Sequence, residues 1–230
     1  MISLIIPTYN EKENIGKLLT LISNLNLKNF EVIIVDDNSP DGTAKEVERL
    51  AKEIPLKIKL IKRRGKRDLS LSVLEGFKKA SGEILGVMDA DLSHPPELIP
   101  KILKELEDND FVIASRKISG GEIKEWSLKR KIFSGFATFL AKTLVPKVSD
   151  PLSGFFFFKK KIIEGVKLSP IGYKICLEIL VKGNYQKLKE IPYVFKNRLF
   201  GKSKLNFKII LKFLFHVLKL HLWKIKKFFG

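Results

Sequence analysis

The feature that most limits the fold of this 230-residue chain is the alternation, up to residue 115, of short apolar runs with stretches of helical periodicity. The runs predict five strands, at residues 3–6, 30–35, 58–61, 84–88 and 111–115. Four helices are predicted between them, at residues 11–25, 43–52, 71–80 and 96–106. Because most of these strands are continuously apolar, we expect an α/β fold, a Rossmann-like, mostly parallel sheet covered by helices on both faces.

Polar clusters follow three of the predicted strands. They are PTYNE at residues 7–11, DDNSPDG at residues 36–42 and DAD at residues 89–91. Parallel strands end at the same edge of a sheet, and ligands of such sheets bind in the crevice at that edge. We therefore expect the three clusters to meet in one crevice.

The third cluster lies in the segment MDADLSHPPE, in which Asp89 and Asp91 are two residues apart. Alternate residues of an extended chain point to the same side, so the two carboxylates should lie close together and repel unless a cation separates them. Few oxygen ligands around an open site suit Mg²⁺ or Mn²⁺. The alternative is an incidental loop pair or a helix cap. Ser93 could contribute through a water molecule, and His94 is assigned a structural role.

The second cluster contains two carboxylates, Asp36 and Asp37, directly after a strand. Its Asn-Ser-Pro-Asp-Gly sequence is also strong turn chemistry, which is the alternative interpretation. Acceptors in this position can bind the N–H groups of a base or the hydroxyls of a ribose. The first strand is not followed by G-x-G-x-x-G, and the chain has no G-x-x-x-x-G-K-[ST], so neither common nucleotide fingerprint is present.

The charge of the chain is unevenly distributed. Residues 1–115 hold 17 basic and 19 acidic residues, whereas residues 116–230 hold 26 and 6, and the whole chain carries +18. The second half is therefore expected to meet anionic partners. Arg116, Arg130, Arg198 and Lys204 are candidate phosphate ligands, since arginine binds phosphate through two parallel hydrogen bonds. Ser134, one helical turn after Arg130, could share the same anion; ordinary solvated charges are the alternative.

The second half has its own pattern of elements, and any boundary near residue 116 is soft. Helices are predicted at residues 127–144 and 173–182, a turn at 150–154, a buried strand at 155–158 and a further strand within 185–195. We expect no transmembrane helix, because no stretch reaches 18 uncharged apolar residues. The single Cys176 fits a reducing compartment.

Taken together, these motifs resemble those of the GT-A fold glycosyltransferases of family 2, and among them the dolichyl-phosphate mannose synthase type. The matching stretches are IIPTYNEKENI, VDDNSPDGT, ASGEILGVMDADLSHPPELIP, SR with GG and EWSLKRKIFS, SDPLSGF, and IPYVFKNRLFGKSKL. They occur in family order between residue 2 and about residue 205. Their ordered combination is far more specific than any one of them.

The resemblance implies a role for each matching position. Asp89 and Asp91 would hold the metal, and Arg116, Arg130 and Ser134 the acceptor phosphate, with Asp91, Arg116 and Arg130 as the catalytic residues. The donor-binding positions would be Pro7, Tyr9, Glu11, Val35, Asp37, Ala90, Arg198 and Lys204, the last two on a loop that closes over the phosphates. The chain departs from many relatives at Asp68-Leu69-Ser70, where they have Gly-Leu-Gly, at Ser93 and at Phe156.

The implied reaction transfers a hexose, with mannose from GDP-mannose favoured, to dolichyl or polyprenyl phosphate by metal-dependent inverting displacement. A phosphate monoester has a second pKa of about 6, so the acceptor is largely a dianion near neutral pH and needs no strong general base. The alternative is a polyprenyl-phosphate glucosyltransferase that uses UDP-glucose. A nucleic-acid-binding protein is the remote alternative, and we expect no nucleic-acid partner, because the lysines flank aliphatic stretches rather than base-stacking aromatics.

The last segment predicts a basic amphipathic helix at residues 205–230. Lys208, Lys212, His216, Lys219 and Lys226 share one helical face, and aliphatic residues occupy much of the rest. Such helices lie in membrane interfaces, although core packing has the same pattern. We therefore expect a GT-A catalytic domain at residues 1–204, with a donor and metal half (1–115) and an acceptor half (116–204). It would be peripheral, at the cytoplasmic face of an anionic membrane, and a separate membrane subunit is a candidate partner.

Overall fold

The computed structural model describes residues 1–65, 67–124, 126–196 and 207–229. The first half contains β1 (Ile2–Thr8), α1 (Lys12–Ser23), β2 (Phe30–Asp36), α2 (Thr43–Glu53), β3 (Lys57–Lys62), α3 (Leu69–Lys79), β4 (Ile84–Val87), α4 (Ile99–Asp108) and β5 (Phe111–Ser115). The second half contains β6 (Glu122–Ile123), α5 (Leu128–Lys142), β7 (Phe156–Lys159), α6 (Ile175–Lys182), β8 (Leu188–Pro192), β9 (Val194–Phe195) and α7 (Phe207–Phe229).

Seven of these strands form one sheet, in the order β3-β2-β1-β4-β7-β5-β8. All its strands are parallel except β7, which is antiparallel to both neighbours, and this confirms the mostly parallel sheet predicted from the alternation. Strands from both halves of the chain share this sheet, because β7 and β8 join the five strands of the first half. The short strands β6 and β9 pair separately, in parallel.

Both faces of the sheet are covered. Along β1, Ile5 packs into one apolar cluster with side chains of α3, α6 and α7, whereas Leu4 and Ile6 pack into another with α1, α2 and α4. Successive side chains of a strand point to opposite faces, so a continuously apolar strand needs a layer of helices on each side. The covered faces explain why β1 and β2 show no polar alternation.

The four consecutive phenylalanines from Phe155 to Phe158 are all buried in the middle of the sheet. Phe156 and Phe158 pack on one face, and Phe155 and Phe157 on the other. The ring of Phe157 fits only because β4 carries Gly86 opposite it: a Cβ at Gly86 would lie 2.2 Å from the ring. This close approach allows the antiparallel β7 to enter between two parallel strands.

Two helix starts show how local sequence sets the boundaries. Asp68 caps α3, because its side-chain oxygen accepts the backbone N–H groups of Ser70 at 3.0 Å and Leu71 at 3.4 Å. Ser127 caps α5 in the same way, by accepting the N–H of Arg130. The departure from the Gly-Leu-Gly of many relatives therefore supplies a helix cap in this chain.

The C-terminal helix α7 packs on the rest of the molecule through one side. Val217 and Leu220 are buried in the core. The ammonium group of Lys219 donates to the backbone carbonyl of Ser169 at 3.0 Å, and that of Lys224 donates to the carbonyl of Leu144 at 2.8 Å. No helix in the described part of the chain is both long enough and apolar enough to span a bilayer.

The polar face predicted for this helix is divided in the structure. His216 is completely buried, and Lys219 is engaged with the domain, so these two members lie against protein rather than solvent. The side chain of Lys212 remains 41% exposed. The reason is geometric: the face that carries these residues borders the side that packs on α6, and sequence periodicity alone does not tell which side meets the domain.

Large apolar side chains are exposed on the opposite side of α7 and along α5. On α7 they are Leu211, Leu214, Phe215, Leu218, Leu222 and Ile225, and on α5 they are Leu128, Ile132, Phe133, Phe136 and Phe139. The two helices touch near their C-terminal halves, where the hydroxyl of Thr143 lies 2.9 Å from Nε2 of His221. We call these eleven side chains the apolar surface.

Candidate active site

A cavity of about 300 Å³ opens at the carboxyl ends of β1 and β4, beside the loop that follows β2. It brings together three predicted clusters and several residues of the second half. Nine of the predicted site residues line this cavity: Pro7, Tyr9, Glu11, Asp37, Asp89, Ala90, Asp91, Arg116 and Arg130. Residues 80 or more positions apart in sequence thus share one space of the size that a small ligand needs.

The two aspartates after β4 are held from behind. The backbone N–H of Asp89 donates to Nδ1 of His94 at 3.2 Å, and that of Ser93 donates to a carboxylate oxygen of Asp91 at 3.1 Å. The side chain of Asp89 is 37% exposed, whereas Asp91 is 7% exposed. Both carboxylates line the cavity, with Asp89 nearer to solvent.

His94 has a structural place. It is buried, stacks on Phe155 at 5.3 Å and meets Tyr193 edge-on at 5.8 Å. Burial lowers the pKa of its imidazole, although the nearby Asp89 opposes this. Because Nδ1 accepts the Asp89 N–H, the neutral ring carries its proton on Nε2. His94 therefore fixes the backbone of Asp89.

The surroundings of the aspartates fit a divalent cation. The buried hydroxyl of Ser93 has no hydrogen-bond partner among the described residues. Gly154 leaves room for the carboxylate, since a Cβ there would lie 3.0 Å from Asp89 Oδ2. Within the described ranges, no group of three or more His, Cys, Asp or Glu side chains could hold a metal by itself. Two carboxylates with open positions are the arrangement that Mg²⁺ shares with substrate phosphates.

The two aspartates at the end of β2, Asp36 and Asp37, have different environments. Asp36 is buried and accepts the hydroxyl of Thr8 at 3.0 Å and the N–H of Ser39 at 2.9 Å, so it supports the turn. Asp37 lines the cavity, and its oxygens accept Nη1 of Arg63 at 2.5 Å and the N–H of Asp68 at 2.9 Å. The turn interpretation thus describes the first aspartate, and only the second reaches the cavity.

Val35 is the exception among the predicted donor-binding residues on the first half. Its side chain is fully buried in the core between the sheet and α3, and it does not line the cavity. Val35 lies within β2 and not in the loop after it, so its side chain is covered by α3 before the cavity begins. Arg198 and Lys204, predicted for the closing loop, lie outside the described residues.

Arg116 is tied to a residue that the sequence interpretation treated only as part of a turn. Its Nε and Nη2 donate to the two carboxylate oxygens of Asp150, at 2.7 Å and 2.8 Å. Although burial alone would raise it, the bonds and the charge of Arg116 hold the pKa of the Asp150 carboxyl below its usual value. The same pair raises the pKa of Arg116 against the opposing effect of burial.

A second cavity, of about 330 Å³, adjoins the first. Arg116 and Trp126 line both, Arg130 lines the first, and Ser134 lines the second together with Lys117. The guanidinium of Arg130 lies over the Trp126 ring at 4.0 Å. Ser134 and Arg130 therefore line different cavities, and Arg116 is the predicted anion ligand that lines both.

Sequence reasoning missed three cavity residues. The guanidinium of Arg67 lies 4.1 Å from the ring centre of Tyr9, and Trp126 forms the wall between the cavities. The ammonium of Lys174 donates to the carbonyl of Leu152 at 3.2 Å, and burial, with the charge of Arg116, lowers its pKa. Position in the sequence offered no signal for Lys174, which precedes an ordinary apolar helix.

The architecture, a mostly parallel sheet covered on both faces with a cavity at the strand ends, is that of the GT-A fold. Among solved structures, the chain resembles glucosyl-3-phosphoglycerate synthase from Mycobacterium tuberculosis in complex with Mn²⁺, UDP-glucose and phosphoglyceric acid. The TM-score is 0.69 at 15% identity, over 94% of this chain and 79% of that one. A complex of the same synthase with Mn²⁺, UDP and glucosyl-3-phosphoglycerate gives a TM-score of 0.69 at 16% identity, over 96% and 78%. At this identity the likeness establishes the fold.

The family follows from sequence comparison. The family model described as Glycosyl transferase family 2 matches residues 3–166, and the chain belongs to that family. A relative from Pyrococcus furiosus named dolichol-phosphate mannosyltransferase is 44% identical in an alignment of 228 positions that covers 97% of this chain and 64% of the relative. One of the same name from Saccharomyces cerevisiae is 39% identical in an alignment of 235 positions that covers 96% of this chain and 87% of the relative. The chain thus spans less than two thirds of the Pyrococcus protein.

Proposed function

We propose that this chain transfers mannose from GDP-mannose to dolichyl or polyprenyl phosphate, with inversion at the anomeric carbon. The observation that carries the proposal is the shared cavity: two carboxylates suited to a metal and two arginines suited to a phosphate line the same space. The names of the relatives from Pyrococcus and Saccharomyces support the choice of mannose and of the lipid acceptor.

On the donor side, Asp89 and Asp91 would hold Mg²⁺ or Mn²⁺. A bound divalent cation would neutralise the charge on the departing nucleoside diphosphate. Tyr9, Glu11 and Asp37 line the part of the cavity formed by β1 and the loop after β2, where the nucleoside would bind. His94 keeps Asp89 in place through the backbone.

On the acceptor side, Arg116 and Arg130 would orient the lipid phosphate as the attacking group. An acceptor that is already a dianion needs no base, and positioning with charge neutralisation can supply most of the rate. This fits the surroundings of His94, whose Nδ1 is used by the Asp89 N–H. The bond that breaks joins the anomeric carbon to the diphosphate oxygen of the leaving nucleotide.

We propose further that the apolar surface docks on an anionic membrane, at the face where the lipid phosphate and the nucleotide sugar meet. Single exposed apolar side chains are common on protein surfaces, but eleven large ones on two touching helices indicate an interaction site. Lys226, which is exposed near the end of α7, would bind lipid phosphate groups beside that surface. The cytoplasmic leaflet is the expected location.

The test is a transfer assay with purified protein, a short polyprenyl phosphate, Mg²⁺ or Mn²⁺, and separately labelled GDP-mannose and UDP-glucose. We expect metal-dependent formation of a mannosylated lipid phosphate that chelator abolishes. Transfer from UDP-glucose alone would replace mannose by glucose in the proposal. An absence of any transfer to the lipid with both donors would contradict it.

A further inference from the structure

The starting observation is the environment of Asp150, which the proposed mechanism does not use. Asp150 is completely buried, and it accepts three hydrogen bonds from Arg116: Nε at 2.7 Å, Nη2 at 2.8 Å and the backbone N–H at 3.0 Å. A guanidinium has five N–H groups in a fixed plane. Asp150 uses two of them, which leaves three on the edge turned away from it.

Asp150 is in turn held by Glu190, the last acidic residue of the chain. The carboxylate of Glu190 accepts the backbone N–H of Ser149 at 2.7 Å and that of Asp150 at 3.0 Å. Glu190 lies on β8, where it pairs with Ile113 of β5, the strand that ends just before Arg116. These hydrogen bonds therefore form a network that connects the turn at Asp150 to the sheet through both β5 and β8.

We expect such a hydrogen-bond network to orient the Arg116 side chain more than it stabilises the fold. The desolvation of a buried ion pair offsets most of its attraction, so the pair adds little net stability. A long, flexible side chain held by a bidentate carboxylate, however, has one allowed plane. For Arg116 that plane sets which N–H groups face the two cavities that it lines.

We propose that Asp150 is a positioning residue for the reaction, which orients Arg116 towards the acceptor phosphate, and that Glu190 holds Asp150 in place. The inference rests on the proposed function, since it assigns the acceptor phosphate to Arg116. Asp150 touches neither substrate; it acts through the guanidinium.

The proposal predicts a particular split between kcat and KM. Asp150→Asn keeps the size of the side chain but replaces one acceptor oxygen by an NH₂ donor. Because a guanidinium can only donate, one of its two parallel hydrogen bonds to residue 150 is lost. Arg116 keeps its charge, and the acceptor KM should not rise. Its plane is no longer set, and kcat should fall about 100-fold, as expected for a misplaced reacting group. Arg116→Ala removes the oriented group altogether, so it should lower kcat at least as much and should also raise the acceptor KM.

The experiment measures acceptor kinetics for Asp150→Asn, for Arg116→Ala and for the double variant, with thermal unfolding and metal-dependent donor binding measured on each. If Asp150 acts through Arg116, adding Asp150→Asn to Arg116→Ala should change kcat by less than about twofold. The matched control is Asp110→Asn. Asp110 also accepts backbone N–H groups, from Gln186 and Lys187 just before β8, but it lines neither cavity.

The outcomes separate the alternatives. A lower kcat in Asp150→Asn, with the donor dissociation constant and Asp110→Asn unchanged and no further loss in the double variant, supports the inference. Independent, multiplying losses in the double variant, or an unchanged kcat in a folded Asp150→Asn protein, would overturn it while leaving the proposed function intact. If Asp150→Asn does not fold, Glu190→Gln is measured in its place, with the same expected split. No transfer by the unaltered protein would overturn both proposals.

Discussion

At the scale of single residues, the site depends on groups that are held in position by neighbours of another kind. Asp89 is fixed through its backbone by His94, and Arg116 through its side chain by Asp150. Gly154 contributes by leaving space beside the Asp89 carboxylate. Each supporting residue is buried or without a side chain, and together they hold the backbone of Asp89 and the guanidinium plane of Arg116.

The metal assignment is tested at this scale. Asp89→Ala and Asp91→Ala should each lower transfer by about 100-fold or more, because one of two carboxylate ligands is lost and charge on the departing diphosphate is no longer neutralised. Mn²⁺-dependent binding of the nucleotide sugar, measured by calorimetry, should weaken in parallel. The matched control, Asp108→Ala at the exposed end of α4, should leave both unchanged. Near-normal turnover in either cavity variant would exclude the metal role.

At the scale of elements, α7 joins two environments. One side packs on α6 and the loop at Ser169, and the other carries part of the apolar surface. His216 marks the packed side, where it is fully buried and neither ring nitrogen has a partner among the described residues. Glu178 and Lys182 of α6, Lys219 of α7 itself, and Asp68 before α3 are the charged groups around it.

His216 should make the packing of α7 dependent on pH. Burial lowers the pKa of its imidazole below the ordinary 6.5, against the opposing charge of Glu178. As pH falls below 6.5, the unfolded chain therefore binds a proton that the folded protein does not, and the free energy of unfolding decreases, by at most about 1.4 kcal/mol per pH unit from this group. The free energy of unfolding, measured with urea at several pH values between 7.5 and 5.5, should depend less steeply on pH in His216→Leu than in the unaltered protein. The same pH dependence in both proteins would show that His216 does not contribute.

The apolar surface should be needed for membrane binding. Phe136→Ser combined with Phe215→Ser removes two aromatic side chains, one from each helix, that are more than half exposed. Because they lack partners in the protein core, the change should leave the thermal unfolding temperature nearly constant while cosedimentation with vesicles decreases severalfold. Leu71→Ser on α3, also exposed, is the control. Unaltered cosedimentation of the double variant would place the membrane contact elsewhere.

At the scale of the whole molecule, charge and apolar surface coincide in the second half of the chain. Residues 116–230 carry 26 basic and 6 acidic residues and contain both α5 and α7. The nearly neutral first half contains the paired aspartates. A molecule divided in this way can present one region to an anionic surface while the crevice that needs a cation stays accessible to a soluble nucleotide sugar.

Vesicle binding should therefore depend on lipid charge and on salt. Binding to vesicles with an anionic lipid should exceed binding to neutral vesicles, and the difference should diminish between about 0.05 M and 0.5 M NaCl, as the screening length shortens. The apolar contribution should persist at high salt. Cosedimentation across this series is the measurement, and equal binding to both kinds of vesicle at low salt would argue against an electrostatic contribution.

The sequence determined the elements and the chemical groups of the site, because both depend on local order. Continuous apolar runs predicted five strands of the sheet to within a residue or two, and the aspartates at strand ends were expected in one crevice, where Asp37, Asp89 and Asp91 lie. Periodicity predicted α7 and its amphipathic character but not which side meets the protein.

Only the tertiary structure decided what depends on contacts between distant segments. The insertion of β7 between β4 and β5 rests on Gly86 leaving space for Phe157, a match that no single stretch of sequence reveals. The pairing of Arg116 with Asp150, 34 positions apart, likewise required the two to be buried together. Local sequence sets backbone preference and chemical type, whereas the partner of a buried charge or ring is chosen by packing, because the cost of leaving it unmatched arises only once water is excluded.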